Sequence, residues 1–240
     1  MNFMGAQGYK VYHRLLRAVV PIATSLTVRG HEHIPTHGPC LLVCNHLSNL
    51  DPFCLIASIP RHFHGLAKTE LFESWLMRLL IKPLEPIRVA RHGMDRQALR
   101  QAESYLRQGE PVLVFAEGTR SKTGALQEAR AGVVFLAQRT AVPIVPIAIS
   151  GTNMILRAQF PWYRRAQAQV TIGPPFMLAD VGEATRENRH AIAQAVMARV
   201  GALLPNAAEQ HLPSEQPPTM PAVAQCADAA HTRSDEQPTR

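Results

Sequence analysis

Apolar positions along the chain follow two rhythms. Over residues 9–23 they recur at helical spacing: Tyr12, Leu15, Leu16, Val19, Val20 and Ala23 fall on one face, with Lys10, His13, Arg14 and Arg17 on the other. This predicts an amphipathic helix, shortened or kinked by Pro21. Short apolar runs then alternate with further helical stripes. Strands are expected at Leu26–Gly30, Cys40–Cys44, Arg61–Lys68, Ile87–Arg91, Pro111–Phe115, Ile144–Ile149 and Gln167–Gly173. Helices are expected from Phe53 to Ser58, Phe72 to Leu80, Asp95 to Gln108, residues 128–140 and Ala184 to Leu204. The 72–80 stripe carries Phe72, Trp75, Leu76, Leu79 and Leu80, and fits either a core helix or a second membrane-facing one. Alternating strands and helices imply an α/β fold with a mixed, largely parallel central sheet flanked by helices. The expected organisation is a membrane-contact helix at 1–25, one α/β domain at 26–204 and a disordered tail at 205–240, rich in Pro, Gln, Ala, Ser and Thr.

Charge sharpens the view of the first helix. The chain carries a formal +7, yet the tail is net −3, so the body carries +10. No acid precedes Glu32. A basic face opposite an apolar one suits an anionic bilayer surface; an ordinary helix docked on the core is the alternative. No run reaches about 18 apolar residues, and no cleavable signal pattern is visible. The four cysteines, Cys40, Cys44, Cys54 and Cys226, have neither metal spacing nor a disulfide framework, and the first three lie in or beside apolar stretches. Small buried hydrophobes in a reducing compartment are expected.

Candidate chemistry concentrates at strand ends. Cys44-Asn45-His46-Leu47-Ser48-Asn49-Leu50-Asp51 follows an apolar strand and places an imidazole five positions before a carboxylate. A carboxylate that accepts from one ring nitrogen fixes the tautomer and leaves the other nitrogen as a base for a substrate hydroxyl. Lys68 and Glu117 also follow predicted strands, and ligands collect at the carboxyl ends of strands in such folds. Glu117-Gly118-Thr119-Arg120 has the makings of an anion-binding turn, and Arg88 and Arg91 could form a second clamp. His31, Glu32 and His33 sit in a loop without further ligands, so no metal site is expected. The basic charge also suits nucleic acid, but no aromatic and basic platform accompanies it.

Four of these segments, in order, resemble the glycerolipid acyltransferase family, the membrane-associated enzymes that acylate glycerol-3-phosphate, lysophosphatidate and related lyso-lipids. Asn45-His46-Leu47-Ser48-Asn49-Leu50-Asp51 is similar to its first motif. Ala67-Lys68-Thr69-Glu70-Leu71-Phe72 and Ile87-Arg88-Val89-Ala90-Arg91 are similar to the region around its second. Phe115-Ala116-Glu117-Gly118-Thr119-Arg120-Ser121 is similar to its third and Val142-Pro143-Ile144-Val145-Pro146-Ile147 to its fourth. The chain departs from the pattern at Ala116, where the family usually has Pro, and at Ala90, where an acid or amide often precedes the arginine. The resemblance implies that His46 is the general base and Asp51 its orienting partner, that Arg91 contacts the acceptor phosphate, and that Glu117 and Gly118, with Thr119 and Arg120 beside them, bind the acceptor. It ties Pro146 to acyl or donor binding. It implies acyl-CoA or acyl-carrier protein as donor, 1-acyl-glycerol-3-phosphate as acceptor and phosphatidate as product. Lyso-ornithine lipid or glycerol-3-phosphate are alternative acceptors, and a non-catalytic lipid-binding protein is a further alternative. No cofactor or metal is implied in the chemical step. The expected location is the cytoplasmic face of the inner (plasma) membrane.

Overall fold

A computed structural model describes residues 6–89, 96–155 and 167–205. The strands are β1 (Ser25–Arg29), β2 (Leu41–Cys44), β3 (His64–Lys68), β4 (Ile87–Val89), β5 (Val112–Phe115), β6 (Ile144–Ser150) and β7 (Gln167–Ile172). The helices are α1 (Ala6–Ala23), α2 (Asp51–Ser58), α3 (Trp75–Ile81), α4 (Arg96–Arg107), α5 (Gly132–Thr140), α6 (Thr152–Ile155) and α7 (Arg189–Gly201). The strands form one seven-stranded sheet in the order β1-β7-β6-β2-β5-β3-β4. Every pairing is parallel except β6 with β7. Strands buried on both faces read as continuous apolar runs, which is how Leu41-Leu42-Val43-Cys44 and Val112-Leu113-Val114 read.

Side chains alternate between two cores. Leu41, Val43, Val112 and Val114 pack with α4, α5 and α7 on one face. Cys40, Leu42, Cys44 and Leu113 pack with α1 and α2 on the other. The chain up to Leu204 makes one compact unit. The expected tail beyond it lies outside the described residues.

The first helix forms where its pattern puts it, but its faces differ from expectation. Tyr9, His13, Leu16 and Val20 are the buried positions, with spacings of four, three and four. His13, expected on the polar face, donates from Nδ1 to the Ile56 carbonyl at 2.7 Å. Leu15 and Val19, expected inward, are exposed together with Val11 and Ile22. The helix thus has two apolar faces, and the sheet side took the one whose aromatic and imidazole groups could find buried hydrogen bonds. Among the described residues no helix is long and apolar enough to cross a membrane.

α3 is shorter than its stripe predicts. Thr69–Phe72 forms a 3-10 turn, and Ser74 caps the helix by accepting from the Met77 N–H. Trp75, Leu76 and Leu79 are exposed, so it is not a core helix. The last helix also starts later than expected. Thr185 and Asn188 exchange side-chain and main-chain hydrogen bonds and hold residues 185–188 in a turn.

Candidate active site

β2 ends at Cys44 and lies between β5 and β6, where the chain crosses from one side of the sheet to the other. This is the crevice at which open α/β sheets hold ligands. Asn45 anchors the exit. Its amide donates to the Ile149 carbonyl at 2.9 Å and accepts from the Ile149 N–H at 2.8 Å. The turn that follows is locked to the next segment by Ser121, whose N–H donates to the His46 carbonyl at 2.7 Å.

Asp51 opens α2 and is fully buried. Its Oδ2 accepts from the main-chain N–H of Leu47 at 2.6 Å, that of Ser48 at 2.8 Å and His46 Nδ1 at 2.7 Å. Its Oδ1 accepts from the Thr152 hydroxyl at 2.5 Å. A carboxylate accepts from the ring, so Nδ1 carries the proton and Nε2 presents its lone pair. The imidazole also lies flat on Phe115, with centroids 4.0 Å apart and planes 16° apart. Hydrogen bond and ring stack together fix its orientation, while the side chain keeps 17% of its surface open.

Thr152 is a site residue the motif reading missed. It comes from α6, which follows Gly151 at the end of β6. Gly151 has φ +78°, and a Cβ there would stand 1.8 Å from the Gln167 carbonyl oxygen. Only glycine makes that turn, and the turn brings Thr152 beneath Asp51.

The segment after β5 builds the opposite wall. Glu117 is buried, Gln127 donates to its Oε2 at 2.9 Å, and Oε1 has no hydrogen bond of ordinary geometry. Burial raises its pKa above the usual carboxylate range, and Gln127 and the His46 main chain pull the other way. Gly118 has φ +69°, and Arg130 lies where its Cβ would be.

Lys68, Thr119 and Arg120 line a cavity of about 540 Å³ together with Leu47, Ser48, Ser121, Lys122 and Asn153. Its wall begins at Leu47, next to His46. Strand ends β2, β3 and β5 therefore bring the His46 imidazole, its carboxylate partner and three cationic side chains to one place. Lys122 and Asn153 were not singled out in the sequence. A second cavity of about 600 Å³ borders Glu117, Thr119, Gln127 and Arg130.

Other expected residues go elsewhere. Pro146 is buried within β6 opposite Val43, and its carbonyl accepts from Gly173. It belongs to the sheet and not to the cavity wall. Arg88 stands 4.4 Å over the Phe72 ring. Ala90 and Arg91 lie outside the described residues. Cys44 is buried as expected, and burial, with Asp51 and Glu117 nearby, holds its thiol well above the usual range.

The profile of the Acyltransferase family matches residues 25–150, more than half of the chain. The chain belongs to the acyltransferase family. The match covers β1 to β6 and thus both motif segments of the site. Its relatives include the chloroplastic 1-acyl-sn-glycerol-3-phosphate acyltransferase BAT2 of Brassica napus, 33% identical over 54% of this chain and 38% of that protein. The probable 1-acyl-sn-glycerol-3-phosphate acyltransferase of Mycoplasma pneumoniae is 32% identical over 60% of this chain and 56% of that one. The 1-acyl-sn-glycerol-3-phosphate acyltransferase of Bacillus subtilis is 24% identical over 80% and 94%. The chain thus spans about 38% and 56% of the length of the first two relatives. The fold of this chain is shared with the crystal structure of the 1-acyl-sn-glycerophosphate (LPA) acyltransferase, PlsC, from Thermotoga maritima. The TM-score is 0.62 at 24% identity, over 82% of this chain and 80% of that one.

Proposed function

We propose that the chain moves a fatty acyl group from acyl-CoA or acyl-carrier protein to the free hydroxyl of 1-acyl-glycerol-3-phosphate, giving phosphatidate. The observation that carries this reading is the His46–Asp51 pair, a base with a defined tautomer standing beside a cavity lined by Lys68, Arg120 and Lys122. The names of the relatives supply the acceptor.

In the reaction, the acceptor phosphate sits among these cations, with the Thr119 hydroxyl at the same wall. His46 Nε2 takes the proton of the free hydroxyl as its oxygen attacks the thioester carbonyl. The tetrahedral intermediate collapses, the carbon–sulfur bond breaks, and the thiolate leaves and takes the proton from the imidazolium. Asp51 holds the imidazolium through Nδ1. The step as written uses no cofactor. General-base assistance of this kind contributes about 10²–10⁴-fold.

The same reading places the protein on a bilayer. Val11, Leu15, Val19 and Ile22 form an exposed apolar stripe on α1, beside Lys10, Arg14 and Arg17. The Tyr12 hydroxyl donates to the Leu80 carbonyl, which sets α3 and its exposed Trp75, Leu76 and Leu79 on the apolar flank of that stripe. Apolar side chains enter the headgroup region, and each nearby basic residue adds about 1 kcal/mol on an anionic surface.

The test is transfer of labelled acyl groups from acyl-CoA, and separately from acyl-carrier protein, to a panel of lyso-lipids in mixed micelles. Transfer to lysophosphatidate that is lost in His46→Ala supports the reading. Transfer to another lyso-lipid alone moves the headgroup assignment, and wild-type turnover in a folded His46→Ala overturns the mechanism. Co-sedimentation with anionic vesicles tests the bilayer contact, and Leu15→Gln with Trp75→Gln should weaken it.

A further inference from the structure

A second cluster of chemistry-bearing side chains lies at the other end of β3. His64 opens this strand and Lys68, in the cavity wall, closes it, so the two ends stand about 13 Å apart at about 3.3 Å per residue. His62 and His64 flank Phe63. Residues two apart on extended chain share a face, and Phe63 points the other way into the core, fully buried. The third member, Glu110, sits in the turn before β5. Strand pairing brings it there: the His64 N–H donates to the Pro111 carbonyl at 2.9 Å, and His64 pairs with Val112. One ligand atom from each of His62, His64 and Glu110 lies within 4.8 Å of the other two.

His64 is held as a metal ligand would be. Its Nδ1 faces the Glu85 carbonyl at 3.2 Å. A carbonyl only accepts, so Nδ1 carries the proton and Nε2 keeps the lone pair. Its ring lies on Tyr105, with centroids 3.5 Å apart and planes 10° apart. Glu85 has φ +44°, a left-handed conformation uncommon for a residue with a side chain, and it orients the carbonyl that sets this tautomer. The His62 ring stands edge-on to both His64 and Tyr9. His62 Nδ1 is 3.9 Å from Glu110 Oε2, too far for a hydrogen bond. Two imidazoles and a carboxylate therefore converge, with His62 and Glu110 at ion-pair distance but not hydrogen-bonded.

We propose that His62, His64 and Glu110 bind a divalent transition metal ion, with zinc the best match to two imidazoles and a carboxylate. Zinc holds such ligands at about 2.0–2.2 Å, which spaces them by roughly 3.4 Å in a tetrahedron. Closing from the present spread needs movement of about an ångström. Glu110 and His62 can supply it, because their side chains are 45% and 25% exposed, while His64 stays fixed. Solvent completes the set from the open side. The ion would tie the start of β3 to the α4–β5 turn, and through Tyr9 it would brace α1. The site is remote from His46, so its role is in stability and not in acyl transfer.

The experiment uses the full chain free of any affinity tag. Cobalt(II) is titrated with visible absorption as the readout, zinc is titrated by calorimetry, and melting is followed with and without zinc. Binding of one ion with a rise in Tm of about 5–10 °C at zinc a hundredfold above Kd is expected. His62→Ala and Glu110→Gln should each weaken binding at least tenfold and remove that rise, whereas His31→Ala should not. Glu110→Gln preserves shape at a half-exposed position, so it keeps the test decisive if His62→Ala does not fold. No binding by the wild type, or equal binding by both variants, would overturn the proposal. Because the readouts are binding and melting, they stand apart from any result on acyl transfer.

Discussion

Thr152→Val isolates what holds the Asp51 carboxylate in place. The substitution keeps the shape of the side chain and removes one O–H donor. In the wild type that donor is 2.5 Å from Asp51 Oδ1, and both residues are fully buried. No water can replace it there without opening the core. A hydrogen bond to a charged group is worth about 1.5–3 kcal/mol. If all of it fell on the transition state, the loss would be roughly 10- to 150-fold at about 1.36 kcal/mol per factor of ten. Three donors remain on Oδ2, so the carboxylate keeps its place and the expected drop in kcat is about ten- to thirtyfold. KM for the acceptor should hardly change, because Thr152 does not line the cavity. Thr152→Ser restores the hydroxyl and should restore turnover. The assay is steady-state acyl transfer with a thermal melt of each variant. Wild-type kcat and Tm in Thr152→Val would refute the view that Thr152 supports Asp51.

Four further outcomes follow from the same geometry. His46→Ala should lose about 10²–10⁴-fold in turnover with an unchanged melt. Asn45→Ala should cost about 2–4 kcal/mol in denaturant unfolding, because it leaves the buried N–H and carbonyl of Ile149 without their partner. Lys68→Ala and Arg120→Ala should each raise KM for a phosphate-bearing acceptor about tenfold, the value of a charged contact of about 1.5 kcal/mol, and leave KM for an uncharged acceptor alone. Glu117 predicts a pH dependence. Burial raises its folded pKa above the unfolded one, so the folded protein binds that proton more tightly. The resulting stability is present below the ordinary carboxylate pKa and is lost as pH rises through the folded pKa. Glu117→Gln should remove this slope in urea unfolding measured across the acidic to neutral range; an unchanged slope would show that Glu117 is not its source.

Much of the architecture was legible in the chain because parallel strands buried on both faces must be apolar throughout, and the helices between them must carry a stripe. That fixed the number and order of the strands, and with them the expectation that His46, Lys68 and Glu117 share one end of the sheet. The dyad was legible because only four residues of turn separate its members, so local geometry alone brings Asp51 back to His46. The faces of α1 were not legible. Its apolar residues cover more than one face, and only the surface of α2 decides which goes inward. The α1 pattern puts His13 on the polar face, and the Ile56 carbonyl makes it core.

Contacts between distant segments depend on tertiary structure, and no spacing rule reports them. Thr152 lies 101 residues from Asp51, and its approach depends on a glycine turn after β6. Glu110 reaches His62 and His64 only through the pairing of β3 with β5, which is why a sequence showing no metal pattern still folds into a cluster of three ligands. Pro146 shows the converse: its motif position suggested a substrate contact, and strand register buried it in the sheet. Periodicity and neighbours along the chain suffice for the elements, the sheet class and the pairing of His46 with Asp51. Which faces are covered, which donors complete the carboxylate and which remote side chains meet depend on surfaces that exist once the sheet has assembled.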